Sequence, residues 1–292
     1  QHDQVQKVAY DLISDEEKQQ VHLDIGRALL RSIPSAIAEE RLFQIVHHMN
    51  TGRGYITDPT ELEQLARMNL KAGRKAKSSA AYGQALHFLM IGAELVKAEG
   101  RSRSDGLYFQ LVLERTECLY FSGDIGHAEA DLRELLRHAN ELSDRSRIYV
   151  ILIMMYSFHN RMNEAVDTAV LAMNEFGLTM PSATSTLSIL VEIAHTQLEL
   201  TRNHLRLNQL PINRDSNHQA LAHVVTVASS VIFIVNPELS IILFAKYVRL
   251  SLKQGLGDAF SIALGSYAAA IGFGLGQYRT ATRLIETAWI YA

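Results

Sequence analysis

The chain has 292 residues, of which 48% are hydrophobic, and a formal net charge of −3. This balance excludes both a strongly basic nucleic-acid-binding domain and a highly charged disordered segment. A single cysteine, Cys118, excludes an intrachain disulfide framework and is typical of a reducing compartment, so we expect a cytoplasmic location. Only five prolines and 17 glycines favour helix over sheet, which predicts an all-α fold.

The first part of the chain predicts three helices. Residues 3–13 carry apolar side chains at helical spacing and predict a short amphipathic helix. Ser14, followed three residues later by Glu17, forms a capping box that opens a second helix ending near Ser32. A third helix is predicted at about 36–50, after a proline.

The rest of the chain also predicts only helices. Polar linkers are expected at 101–106 and 208–217, and no run alternates between apolar and polar residues as a half-buried strand does. The helices are predicted at about 60–79, 80–96, 107–122, 125–139, 145–159, 162–176, 184–201, 218–235, 238–254, 259–273 and 277–292.

A tight turn between helices recurs along the chain. Gly123 supplies a left-handed residue that ends one helix, Asp124 caps the next, and Ala128 is small enough to let the two backbones approach. The same internal spacing recurs with Ala165 and again with Gly276, Tyr278 and Ala281. Such turns are typical of the middle of tetratricopeptide-type repeats.

The repeat spacing is irregular. Ala85, Ala128 and Ala165 are 43 and 37 residues apart, whereas regular tetratricopeptide repeats have about 34 residues. Each helix pair would leave an apolar face that only its neighbour can cover. The sequence therefore predicts a right-handed α-solenoid of antiparallel helix pairs, with divergent tetratricopeptide-like repeats.

A basic stripe is predicted on one helix face. It consists of Arg67, Lys71, Arg74 and Lys75. The stripe would suit an acidic or phosphate-bearing partner, but a solvated helix face is the favoured interpretation.

Candidate sites for metal or nucleotide are weak. Glu192 and His195 have the Glu-x-x-His spacing of di-iron bundles, but such a site needs a second copy, which the sequence lacks. The glycines of 272–276 lack the third glycine of a dinucleotide fingerprint and predict an inter-helix turn. We therefore expect no catalytic residues, no metal and no cofactor.

Two apolar features favour core packing. Cys118 has helical spacing from apolar residues and so lies on the apolar face of its helix. This position predicts a buried side chain and not a nucleophile. The apolar run from Ala220 to Val235 is shorter than the roughly 20 residues of a membrane helix. It predicts a central helix buried on several sides, without membrane insertion.

Five stretches together resemble part of a known protein class. They are His2-Asp3-x-Val5-x-x-x-Ala9-Tyr10, Glu17-Lys18-x-x-Val21-His22-x-x-Ile25-Gly26-Arg27-x-Leu29-Leu30, Glu40-Arg41-Leu42-Phe43-x-Ile45-Val46-x-His48-Met49-Asn50, Asn69-Leu70-x-Ala72-Gly73-x-Lys75-Ala76-x-x-Ser79-x-Ala81-Tyr82 and Asn236-Pro237-Glu238-Leu239. This pattern resembles large signalling proteins that join a serine/threonine-kinase-like domain, a STAND-type AAA ATPase, a helical-repeat region, a GAF domain and a sensor histidine kinase.

The resemblance implies a domain order. Residues 1–32 would be the tail of the winged-helix part of the ATPase, 33–182 tetratricopeptide-like hairpins, and 183–292 further helical repeats cut at the C-terminus of a longer polypeptide. It implies a non-catalytic sensor or scaffold that binds a protein or small effector and relays it to neighbouring ATPase and kinase domains. The alternatives are the ligand-sensing domain of a STAND-type transcription activator and a helical-bundle metalloprotein using Glu192 and His195.

Overall fold

The computed structural model describes residues 13–32, 40–98, 106–203 and 210–291. These residues form thirteen α-helices and no strand, apart from one isolated parallel bridge between Ile212 and Leu256. The predicted all-α class is confirmed, whereas the solenoid stays a prediction. Residues 3–12 of the first predicted helix, the linker at 101–105 and the whole of the first resembling stretch lie outside the described residues.

The helix bounds follow the sequence periodicity within a few residues for most helices. We number the helices α1 (Asp15–Ser32), α2 (Leu42–Thr51), α3 (Pro59–Ser78), α4 (Tyr82–Ala98), α5 (Gly106–Phe121), α6 (Ile125–His138), α7 (Leu142–Phe158), α8 (Met162–Glu175), α9 (Thr186–Asn203), α10 (Ser216–Val235), α11 (Pro237–Gln254), α12 (Phe260–Leu275) and α13 (Tyr278–Ile290). The capping box at the start of α1 is present: Glu17 N–H donates to Ser14 Oγ at 3.2 Å, and Ser14 N–H donates to the Glu17 carboxylate at 3.1 Å.

The chain divides into two compact units after His138. The first unit contains α1–α6 and the second α7–α13. The division falls inside the predicted repeat segment 33–182, and the domain boundaries that the resemblance implies stay predictions.

In the first unit, each helix packs against the next along the chain. Arg27 on α1 forms a two-pronged ion pair with Glu61 on α3, with both nitrogen-to-oxygen distances at 2.7 Å. The hydrogen bond from Arg27 lowers the pKa of the Glu61 carboxyl. Because this bidentate geometry constrains direction as well as distance, it fixes α1 against the α2–α3 pair.

A reciprocal amide pair lies in the core between α2 and α3. Asn50 and Asn69 are both buried, and each side-chain amide donates to the oxygen of the other at 2.8 Å. Asn69 also donates to the Leu65 carbonyl one turn earlier at 3.0 Å. The polar atoms of both residues are therefore satisfied within an apolar layer.

The second unit departs from strictly sequential packing. The helix α10 packs against α7, α8 and α11, whereas α9 packs against α11. Thr196 on α9 donates its hydroxyl to the Ala245 carbonyl at 3.1 Å, and Tyr267 on α12 donates to the Ile193 carbonyl at 3.1 Å. The helix α9 is thus fixed to helices that come later in the chain and are not its immediate neighbours in sequence.

Most of the helix pairs share one kind of turn. Ala80, Gly123 and Asn160 each have a positive φ, of 56°, 84° and 59°. The next residue in each case donates its N–H to the carbonyl five residues back, at 2.9–3.0 Å. This is a Schellman motif, which satisfies carbonyls that the helix end would leave unpaired. Gly276 differs, because Gln277 N–H bonds the Ile271 carbonyl six residues back.

An alanine follows each of these turns at the same distance. Ala85, Ala128, Ala165 and Ala281 each lie five residues after the left-handed residue and are buried. The sequence indicated Ala85 as a repeat alanine but placed Ala80 inside a helix, and that placement is wrong. Ala80 is the turn residue itself, a left-handed position held without a glycine.

Glycine substitutions test the first turn of α6. We expect Gly123→Ala to lower the free energy of unfolding by about 1–2 kcal/mol, because an added Cβ meets no atom within 4 Å and only the left-handed backbone is strained. Gly126→Ala is the matched control, because a Cβ added there also has no atom within 4 Å and the φ of Gly126 is not positive. Since alanine favours the helix more than glycine does, the free energy of unfolding should stay unchanged or rise by up to about 1 kcal/mol. Urea unfolding measures both, and equal effects would contradict the turn assignment.

A bulky substitution tests the close approach at Ala128. We expect Ala128→Trp to destabilise the first unit by about 1–3 kcal/mol, because Ala128 is fully buried where α6 packs against α5. Ala130→Trp, an exposed position on the same helix, should change stability by less than about 0.5 kcal/mol. An unchanged melting temperature for Ala128→Trp would show that the position does not pack against a neighbour.

Candidate ligand-binding groove

An apolar groove of about 640 Å³ lies between α10, α11 and α12 in the second unit. The sharp connection from α10 to α11 forms one end of it. Asn236 alone joins the two helices, and its side chain caps α11 by accepting the Leu239 N–H at 2.9 Å. The groove is lined by Ser229, Ser230, Phe233, Pro237, Ser240, Ile241, Phe244, Ser266, Ala269, Ala270, Phe273 and Gly274.

The walls and the floor of the groove differ in exposure. Phe233 on α10 and Phe273 on α12 are 60% and 86% exposed, whereas Phe244 and Ser240 on α11 are buried. Large exposed aromatic side chains above a buried apolar floor are unusual for a surface that faces only water. The groove therefore presents an open apolar surface to solvent.

The polar atoms of the groove are largely used internally. Ser240 donates to the Pro237 carbonyl at 2.6 Å and Ser229 to the Thr226 carbonyl at 3.0 Å. None of the described lining residues carries a charge. The groove therefore offers mainly apolar surface, together with serine hydroxyls and no charged side chain among the described lining residues.

The groove is not predictable from any motif in the sequence. The sequence does contain a pattern that indicates exposed apolar surface. The apolar residues of α10 and α12 extend beyond the buried face of each helix, to Phe233, Ile234 and Phe273. Periodicity alone could not show that these ends lie next to each other, since α10 and α12 are joined through a whole intervening helix.

The residues of the basic stripe lie on α3 in the first unit, and two of them are ion-paired there. Arg67 contacts Glu63 of the same helix at 2.6 Å, and Arg74 contacts Glu114 on α5 at 2.6 Å. Lys75 Nζ lies 5.6 Å from the centroid of the Phe43 ring. Lys71 is exposed. The stripe thus contributes to packing between helices, and its role toward a partner stays a prediction.

A charged cluster continues from Arg74 to the end of α3. Lys77 contacts both Glu114 and Glu117 of α5. Burial alone would raise the pKa of the Glu114 carboxyl, but hydrogen bonds from Lys77 and Arg74 lower it. The neighbouring Cys118 is fully buried, and burial raises the pKa of its thiol to about 11. Such a thiol is a poor nucleophile at neutral pH, in agreement with the predicted core role.

The Glu192 carboxylate is engaged by cations of a neighbouring helix. The Glu192 carboxylate contacts Arg249 at 2.7 Å and Lys246 at 3.6 Å, both on α11, in ion-pair geometry. His195 is exposed to solvent. Because two cations already balance the carboxylate, the metalloprotein alternative is not supported, and no group of three metal-ligating side chains occurs among the described residues.

Two further sequence features have structural roles. Gly272 and Gly274 lie within the last turns of α12, and Gly276 follows that helix. The inter-helix turn predicted for the cluster is therefore confirmed only at Gly276, whereas the other two glycines are helical. Within the described ranges, α10 alone is long and apolar enough to cross a membrane, and half of its most apolar window is buried. Since α10 packs against three helices, it has the properties of a core helix.

A cluster of imidazoles connects α1 and α2. His22 Nδ1 lies 2.8 Å from His48 Nδ1, which requires one nitrogen to carry a proton and the other to accept it. The His47 ring lies nearby, with its centroid 6.0 Å from that of His22. Burial, followed by the neighbouring imidazoles, lowers the pKa of both His22 and His48.

The chain is distantly similar to a signalling kinase. No protein-family model matches it. It is 21% identical over 326 residues to the hybrid signal transduction histidine kinase G of Dictyostelium discoideum. The alignment covers 94% of this chain but only 9% of that protein, so the chain spans a small part of the length of the relative it matches. This distant similarity supports a signalling-kinase parent and does not identify a repeat family.

Acid should weaken the α1–α2 contact. The pKa values of His22 and His48 in the folded chain lie below the ordinary value of 6.5. The unfolded chain therefore binds more protons at these histidines than the folded chain does. The free energy of unfolding is thus highest above about pH 6.5 and decreases as the pH falls. We expect His22→Asn to reduce this loss of stability, measured by urea unfolding at about pH 7.5 and about pH 5.5. His195→Asn, at an exposed histidine of the other unit, should keep the wild-type pH dependence. A loss of stability on acidification that is the same in wild type and His22→Asn would contradict the assignment.

Proposed function

We propose that this chain is a non-catalytic helical module of a signal-transduction kinase, which binds an effector in the apolar groove and relays its occupancy to adjacent ATPase and kinase domains. The observation that carries the proposal is the groove itself, with exposed Phe233 and Phe273 above a buried floor. The distant similarity to a hybrid signal transduction histidine kinase supports the signalling context. The module would act in the cytoplasm, without nucleic acid, membrane or cofactor.

The effector is a protein segment or small molecule that presents an apolar group. The groove volume falls within the range of about 300–1,000 Å³ that is usual for ligand pockets. Uncharged walls favour an apolar group over an ion, because a charge placed there would lose its water without gaining a partner. Burying one of the phenylalanine side chains would contribute about 1.5–3 kcal/mol to binding.

The relay follows from which helices the effector touches. The groove joins α10, α11 and α12, and α11 also packs against α9. An effector that contacts three helices at once stabilises those packings in which the three faces fit it. The population of packing states would shift accordingly, and adjoining domains would sense the shift. In the first unit, α1 would be the tail of the ATPase module.

Substitutions in the groove test the proposal. We expect Phe233→Ser and Phe273→Ser to weaken effector binding about tenfold, because each removes apolar contact area while both side chains are largely exposed and not needed for folding. Phe158→Ser is the matched control, since Phe158 is 71% exposed in the same unit but does not line the groove. The purified chain would serve as bait in native lysate, with a melt-shift screen of metabolites in parallel.

The outcomes separate the two kinds of effector. A protein retained by wild type and Phe158→Ser but lost from both groove variants would support a protein effector. A metabolite that raises the melting temperature with the same variant pattern would support a small effector. Binding that both groove variants retain, or that Phe158→Ser loses equally, would contradict the groove as the site.

A further inference from the structure

We propose that the second unit contains another binding site, in a cleft between α9 and α13, for a small polar molecule with one anionic group. The cleft has a volume of about 610 Å³ and is separate from the apolar groove in its lining residues. Its polar lining consists of Gln197, Thr201, Gln277, Thr280, Arg283 and Thr287. This inference rests on the cleft alone and does not depend on the proposed effector groove.

The polar residues of α13 lie on one face of the helix. Thr280, Arg283 and Thr287 are spaced by three and four residues, which places their side chains in a row. Thr287 donates its hydroxyl to the Arg283 carbonyl at 2.9 Å, which leaves its oxygen lone pairs available. The row therefore offers a cation between two hydroxyl groups.

The charge of Arg283 is not balanced by a carboxylate in the part of the chain that the structure describes. Its guanidinium has no hydrogen bond or ion pair among the described residues, and no described carboxylate lines the cleft. By contrast, the α9 residue Arg202 has an ion-pair partner, Glu199, at 3.6 Å. A guanidinium presents a planar fork of donors that matches carboxylate and phosphate oxygens. Arg283 is thus available for an anionic group of a ligand.

The remaining surface of the cleft suits the body of a polar molecule. The side chains of Gln197 and Gln277 hydrogen-bond to each other and connect α9 to the start of α13. Leu200 and Leu284 are 7% and 8% exposed and form an apolar floor. The hydroxyl and amide groups can hydrogen-bond a polar ligand, while the small apolar floor can contact its carbon skeleton.

A matched set of probes tests the site. Glucose 6-phosphate, glucuronate and glucose share a polyhydroxylated body and carry a phosphate, a carboxylate or no charge. Each would be titrated into the full chain by calorimetry at millimolar concentration and fixed ionic strength. We expect saturable binding of at least one anionic probe and none of glucose, and the tighter anion identifies the preferred group.

Two arginine variants locate the binding. Arg283→Gln should weaken binding of the anionic probe about tenfold, because it removes a charge-assisted contact. Arg279→Gln is the control, since Arg279 is exposed one turn earlier on α13 but does not line the cleft. Binding by neither anion, equal binding of glucose, or an equal loss in Arg279→Gln would overturn the proposal. Both residues are exposed, so unchanged melting temperatures should accompany either variant.

Discussion

The left-handed turn between paired helices is the constraint on which the rest of the structure depends. At Ala80, Gly123 and Asn160 a positive φ and a hydrogen bond across five residues end one helix and start the next in a fixed direction. The buried alanine that follows five residues later then allows the second helix to lie close to the first. Because turn and alanine act together, the pairing of these helices is specified by residues that lie close together in sequence.

This local character explains how much of the fold is readable from sequence. The turns at Gly123 and Gly276 are signalled by glycine, and the helix bounds follow from apolar periodicity and caps such as Ser14. Ala80 gives no such signal, since alanine is a strong helix former, although hydrogen bonds across the turn accompany its left-handed conformation. The position of α9 is equally hidden, because its partner α11 lies beyond α10 in the chain.

The binding surfaces are less predictable than the helices for the same reason. The groove combines side chains from three consecutive helices, and the cleft combines side chains from α9 and α13. Neither is therefore visible as a motif of adjacent residues. Conversely, Glu192 and His195 have a suggestive spacing, but cations on another helix take up the carboxylate. Sequence spacing shows which residues lie on the same face of one helix. The contacts of that face depend on how the helices pack in three dimensions.

The reciprocal pair of Asn50 and Asn69 has a consequence for alternative packings of the first unit. Its two hydrogen bonds form only when the amides are directly opposite, much as complementary bases recognise each other. A slip of α2 along α3 by one turn would leave both amides buried and unsatisfied, at a cost of about 1–3 kcal/mol for each lost partner. An apolar pair would tolerate such a slip. The two asparagines thus favour the native register of α2 on α3 over packings in which the helices are shifted by one turn.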